Sequence, residues 1–135
     1  MASKNISIRK SIQLTTKSLE SLLRDGESLD FRLDQAVWQD LNVDDYIEFW
    51  EDFTGWQTEP VDNSRKVTVQ IKHIFKAVCF LKLFEIIENE FSQLGDKNAL
   101  ISGLRHWWSE DKETQEGVLA FHVVVVVPES KPDGL

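Results

Sequence analysis

Apolar positions recur at helical spacing in three stretches of the chain. Over residues 6–25, Ile8, Ile12, Thr15, Leu19 and Leu22 step by four and three, and Gly26 follows where a helix commonly stops. The isoleucine- and threonine-rich half, 6–14, also suits a strand, because residues branched at Cβ fit a pleated surface. Over 43–54, VDDYIEFWEDFT, the aromatics Tyr46, Phe49, Trp50 and Phe53 stand at i, i+3, i+4 and i+7, which places them within about a 100° arc of a helix. Asp44, Asp45, Glu48, Glu51 and Asp52 fall on the opposite arc, Asn42 is a suitable N-cap and Gly55 supplies a stop. Asp44 and Asp45 would then lie in the first turn, where the helix dipole favours negative charge. Over 72–94, Ala77, Phe80, Phe84, Ile87, Phe91 and Leu94 keep the three-four spacing, while Ile74, Phe75, Val78 and Leu81 widen the apolar girth. That pattern predicts a central helix ending at Gly95.

Other stretches alternate. Leu29–Leu33 and Val67–Ile71 have the period of half-buried strands, the second with an unusual helix start as its rival. Val118–Val127, VLAFHVVVVV, reads as a strand apolar on both faces, buried on both sides or completed by another chain. Ala36–Leu41 suits a short helical turn, 97–108 a short helix weakened by Gly103, and 57–64 and 109–117 read as loops. Since a lone strand is not stable in water, the expected fold is α+β: a small, mainly antiparallel sheet including 118–127, packed by helices at about 6–25, 43–54 and 72–94. The alternative is a helical bundle whose C-terminal strand pairs across a homodimer.

Composition narrows the class. The 135 residues fit one domain, 1–135, with 130–135 a frayed tail. With 41% hydrophobic and 28% charged residues the chain is not wholly disordered, and the one cysteine, Cys79, excludes an internal disulfide. The most apolar window, 74–87, is shorter than a membrane span and carries Lys76, Lys82 and Glu85. The N-terminal stretch is too polar for a secretory signal, so the expected location is cytoplasmic, away from membranes.

Charge changes the picture most. The net charge is −8, and residues 33–64 hold nine acids with no Lys or Arg. The following stretch, Arg65–Lys82, holds five bases and no acid. If 43–54 is a helix, its aromatics are buried and its carboxylates form a ridge. Such a ridge is either a solvated face or a surface that steers a cationic partner. The first expectation is therefore a non-enzymatic regulatory or inhibitory interaction module, of the immunity or antitoxin kind. Its partner would be a basic protein: a nuclease, a toxin or a nucleic-acid-binding protein, with no direct nucleic-acid binding by this chain. Asp44, Asp45, Glu48, Glu51 and Asp52 would carry the electrostatics, with Trp56 as the anchor. Over seven residues, Trp50–Trp56, WEDFTGW, resembles the end of an acidic helix in barstar, an inhibitor of a basic ribonuclease. The resemblance implies an inhibitory acidic face there.

Candidates for chemistry are sparse. His106 and Glu110 stand at i, i+4, but HExxH and paired-cysteine spacings are missing, so no metal and no cofactor are expected. His122 interrupts an apolar strand and reads as a hydrogen-bonded core or interface histidine, and Cys79 lies in the most apolar segment, where thiols are inert. The phosphate-cradling and nucleophile-elbow motifs do not occur, and no catalytic residue is expected. Arg105-His106-Trp107-Trp108 could stack bases but suits buried tryptophans at a helix–loop junction better. Two further expectations come from other classes. One is a small-ligand-binding protein or enzyme with a pocket between the sheet and the helix at 77–94. The other is a self-associating subunit joined through Val118–Val127.

Overall fold

The computed structural model describes residues 7–90 and 97–127. In chain order the elements are β1 (Ile8–Thr15), α1 (Thr16–Asp25), β2 (Glu27–Leu33), a 3-10 turn (Ala36–Trp38), β3 (Tyr46–Asp52), β4 (Lys66–Ala77), α2 (Phe80–Glu88), α3 (Lys97–Leu104), α4 (Glu110–Glu116) and β5 (Val118–Val127). The class is α+β, but the sheet is not the small, mainly antiparallel one expected. It is five-stranded and mixed, in the order β1-β3-β4-β5-β2, with β1 parallel to β3 and β3 antiparallel to β4. The helical-bundle alternative is excluded by the same strands. Among the described residues no helix is long and apolar enough to cross a membrane.

Three expected helices change at their N-terminal parts or entirely. The stretch 6–25 divides at Thr15. Its first half is β1, whose Ile12 lies opposite Phe49 of β3. Its second half is α1, opened by the Thr15 hydroxyl accepting the Ser18 N–H and closed by Gly26 at φ 78, whose N–H reaches the Leu22 carbonyl. Ile6 lies outside the described residues. The stretch 43–54 contains no helix. Asp44 sits at φ 77, outside any helical conformation. Its N–H donates to the Ile71 carbonyl at 2.8 Å, and the Ile71 N–H donates to the Asp45 carbonyl at 2.9 Å. These bonds commit the chain to a strand. The helix at 72–94 begins only at Phe80, because β4 runs on to Ala77. A strand of ten residues, β5, lies beside it to take up its backbone groups, and this pairing overrides local spacing. The expected part at 91–94 lies outside the described residues. Conversely, the charged run after Trp108 forms α4, with the Ser109 hydroxyl accepting the Lys112 N–H and three acids in the first turn.

The described residues form two compact units. One comprises 7–28, 41–72 and 122–127; the other comprises 29–40, 73–90 and 97–121. In the first, Leu19 and Leu22 of α1 are buried together with Ile12, Ile47, Phe49, Val67, Val69 and Ile71. The register sets Ile47 opposite Val69 and Phe49 opposite Val67, so their side chains share one face of the sheet. His122 on β5 is buried, and its Nε2 lies 2.8 Å from Glu27 Oε1.

In the second unit, Phe80, Leu83, Phe84 and Ile87 are buried against Leu33, Val118 and Ala120. Leu29 and Phe31 add to the cluster, with Phe31 edge-on to Phe84 at 5.2 Å. Each such side chain contributes roughly 1.5–3 kcal/mol by leaving water. A buried carboxylate holds the start of α2: Glu113 accepts the Phe80 N–H and pairs with Arg105, 2.6 Å away. Arg32 lies over Trp38 at 5.1 Å while bound to Asp30 at 2.8 Å.

Between α4 and β5 the chain turns at Gly117, with φ 75 and ψ −178. That region belongs almost solely to glycine. A Cβ there would also stand 3.3 Å from the Ala77 carbonyl oxygen. Gly117→Ala is expected to destabilise the protein by about 1–3 kcal/mol. Urea unfolding checks it; a midpoint equal to the parent's would contradict the assigned backbone conformation.

Candidate functional site

The carboxylates expected to form an open ridge are disposed along a strand and its flanks, where most of them have internal roles. Asp44 is exposed at its left-handed turn. Asp45 accepts the Asn42 N–H at 2.8 Å and stands 3.8 Å from Arg9. Glu48 accepts the Ser11 hydroxyl at 3.2 Å. Glu51 and Asp52 are each only 2% exposed.

Glu51 is held by Arg65 in a two-pronged pair. Arg65 Nε donates to Oε1 at 3.0 Å and Nη2 to Oε2 at 2.8 Å, with the Arg65 N–H adding a third bond to Oε1 at 3.3 Å. The same guanidinium stands 3.6 Å from Glu20 on α1. Arg65 outweighs the upward push of burial, and with help from Thr16 it holds the Glu51 carboxyl at about 2. Because the folded value lies below the unfolded one, the stabilisation is fully present above about pH 4.5 and fades as pH falls toward 2. Allowing for solvent at the half-buried Arg65, it amounts to about 1–2 kcal/mol. Glu51→Gln should therefore flatten the acid limb of stability between those limits, measured by urea unfolding at stepped pH. An unchanged acid limb would show that the pair contributes nothing.

Asp52 has a different task. Its Oδ1 accepts the N–H groups of Gly55 at 2.8 Å, Thr54 at 3.0 Å and Gln57 at 3.3 Å, together with the Thr54 hydroxyl at 3.3 Å. Its Oδ2 accepts the Gln13 side-chain amide at 2.9 Å. Burial pushes its pKa up, but the N–H groups of Gly55, Thr54 and Gln57 prevail and the value lies below the usual carboxylate range. The turn is closed further by the Phe53 N–H donating to the Gln57 side chain at 2.6 Å and the Trp56 N–H to the Thr54 hydroxyl at 3.2 Å. Gly55, at φ 94, supplies the one conformation in it that favours glycine.

This pinned turn presents aromatic rings to water. Trp56 is 80% exposed and Phe53 is 47% exposed. A large apolar ring left in water on a stiffened turn is the arrangement in the first unit most suited to contact with another molecule. The structure thus brings Asp52 and Trp56 together as support and display, and disperses Asp44, Asp45, Glu48 and Glu51. The role of Asp52 as the anchor of the turn was missed from sequence; the run Asp-Phe-Thr-Gly was the available signal. The stretch resembling barstar is the end of a strand and a turn here, not a helix.

No protein-family model and no curated protein matches this chain. Two solved structures share the fold. The hypothetical protein PH0355 superposes with a TM-score of 0.63 at 20% identity, covering 87% of this chain and 98% of its own. Protein PF0455 from Pyrococcus furiosus superposes with a TM-score of 0.55 at 18% identity, covering 87% and 97%. At these identities the likeness concerns the fold alone.

The other chemical candidates are placed as follows. His106 lies in the turn after α3 and Glu110 opens α4, so a helix boundary separates them. Cys79 is the half-buried N-cap of α2. Trp108 packs on Phe80 at 6.1 Å, as expected for a helix–loop junction, but Trp107 is 57% exposed and Arg105 is engaged by Glu113. Between the strands and α2, where a ligand pocket was expected, Phe80, Phe84 and their neighbours are packed side against side. β5 lies between β4 and β2, so both of its edges are already paired.

Asp52→Ala removes the acceptor for the whole turn. It is expected to cost about 1–3 kcal/mol, since several part-buried donors lose their partner at once. It should also raise amide hydrogen exchange at Thr54, Gly55 and Gln57 selectively. Exchange that stays slow at those three amides would contradict the role given to Asp52.

Proposed function

We propose that the protein is a non-enzymatic interaction module of the cytoplasm whose contact element is the turn Phe53–Gln57, with Trp56 as its anchor. The observation that carries the reading is Trp56 itself, 80% exposed on a turn whose backbone donors converge on one buried carboxylate. Tryptophan dominates binding where it is desolvated in a partner's pocket. A contact loop that is already ordered loses little conformational freedom on docking. Both features favour binding, and the exposure of the Trp56 ring does nothing for folding of the free chain.

The reading keeps Trp56 and drops the acidic helix as its docking face. Glu51 and Asp52 are buried, and Asp45 and Glu48 make contacts within the first unit. The pocket reading has no support from the apolar cluster at α2, whose side chains pack against one another. Self-association through β5 would need an open edge on a strand that has neighbours on both sides.

A displayed peptide library selected against the folded protein, with Trp56→Ala as counter-selection, tests the reading. Recovered peptides should bind the parent and lose at least about tenfold in affinity on the variant. Circular dichroism should show the variant folded, as the ring is exposed. Should every recovered peptide bind parent and variant equally, the turn is not the contact element.

A further inference from the structure

Resting on the interaction-module reading, we infer that Thr54 is the positioning residue of the contact turn: its hydroxyl, aligned by Asp52, fixes the backbone from which the Trp56 ring is displayed. Every amide of Phe53–Gln57 is tied down, but not to the same acceptor. Those of Thr54, Gly55 and Gln57 donate to Asp52 Oδ1, and that of Phe53 donates to the Gln57 side chain. Trp56 is the exception. Its N–H donates to Thr54 Oγ1 at 3.2 Å, and among the described residues this is its one hydrogen bond, with no ring contact or ion pair beside it. The residue that would enter a partner's pocket is therefore held through a single hydroxyl.

A hydroxyl oxygen carries one proton and two lone pairs, and it rotates until its proton is placed. Here the proton is placed, because Thr54 Oγ1 donates to Asp52 Oδ1 at 3.3 Å. With the proton directed at the carboxylate, the lone pairs turn away from it and serve the Trp56 N–H. The Thr54 N–H, bound to the same Oδ1 at 3.0 Å, holds the backbone from which Oγ1 projects. The buried carboxylate thus reaches its other amides directly and Trp56 through Thr54. At this exposed residue water can replace the hydroxyl as acceptor for the Trp56 amide. Water satisfies the amide but does not fix its direction. Losing the hydroxyl therefore weighs on binding, as ordering that docking must then supply, more than on folding.

Peptides recovered from the library selection for their dependence on Trp56 serve as probes, titrated against the full chain and two variants of it. Thr54→Val keeps the branching at Cβ and removes both hydroxyl bonds, so it should weaken these peptides about three- to tenfold. Thr54→Ser restores the hydroxyl and should recover the parent affinity to within about twofold. Two further readouts separate positioning from a general structural role. In Thr54→Val the backbone order parameter of Trp56, from NMR relaxation, should fall below those of Gly55 and Gln57. Amide exchange should speed at Trp56 and stay slow at Gly55 and Gln57, the two amides that Asp52→Ala releases. Equal affinity of the parent and Thr54→Val, or equal weakening by the valine and serine variants, overturns the inference while the contact turn stands. Loss of protection at Gly55 and Gln57 in Thr54→Val also overturns it, since the hydroxyl would then support the whole turn. If no selected peptide depends on Trp56, the contact turn itself is wrong and the inference falls with it.

Discussion

Two adjacent carboxylates at the end of β3 are withdrawn from water, and the surrounding structure is arranged to compensate them. An uncompensated buried carboxylate costs several kcal/mol. Glu51 recovers this through Arg65, which reaches it from the far side of the 53–64 loop with three hydrogen bonds. That bond pins the start of β4 beside the end of β3, in line with the register that sets Lys66 opposite Trp50. Asp52 recovers its cost from backbone donors, and in doing so folds Thr54–Gln57 into a closed turn. The loop is thus gripped at one end by a guanidinium pair and at the other by a carboxylate cap. Its Trp56 is held in water by the same bonds that satisfy Asp52.

The segregation of charge along the sequence is partly undone in space. The acid-only segment 33–64 meets the basic segment 65–82 at Glu51–Arg65, and in the other unit at Asp34–Lys76, 3.9 Å apart. Arg9 from β1 approaches Asp45. These contacts differ in weight. The exposed ones contribute little, while the pair involving buried Glu51 both stabilises and positions. A linear run of like charges therefore said which residues were acidic but not which faced a partner.

Much of the architecture was legible where local signals and tertiary environment agree. α1 closes at Gly26, β2 alternates, α2 buries the predicted Phe80, Phe84 and Ile87, and β5 is apolar but for His122 because it lies inside the sheet. The failures have one physical origin. β3 is buried at Ile47, Phe49, Trp50, Glu51 and Asp52, which takes in both of its faces, so it lacks the alternation of a half-buried strand. Its aromatics happen to fall at helical intervals, and its acids, read as a wet face, are interior. Residues 72–77 failed similarly, since their strand depends on β5, more than forty positions away in the sequence. The turn at Asp52 was written locally, in Asp-Phe-Thr-Gly, but a helix assignment hid it.

The two exposed tryptophans show why display alone is weaker ground than display with support. Trp107 is more than half exposed between Arg105, tied to Glu113, and Trp108, packed on Phe80. Those neighbours are fixed by the needs of the second unit's own core: Glu113 satisfies the start of α2, and Trp108 covers Phe80. Exposure of Trp107 follows from where its neighbours must point. At Trp56 the order of cause is reversed. Phe53–Gln57 buries almost nothing of its own, yet four hydrogen bonds from the turn converge on one oxygen of Asp52. Ordering a surface turn costs roughly 1–2 kcal/mol per residue in backbone entropy. The bonds to Asp52 meet this cost within the free chain, and the exposed ring they hold is thereby preorganised for contact. On that ground the proposed contact is placed at Trp56 in preference to Trp107.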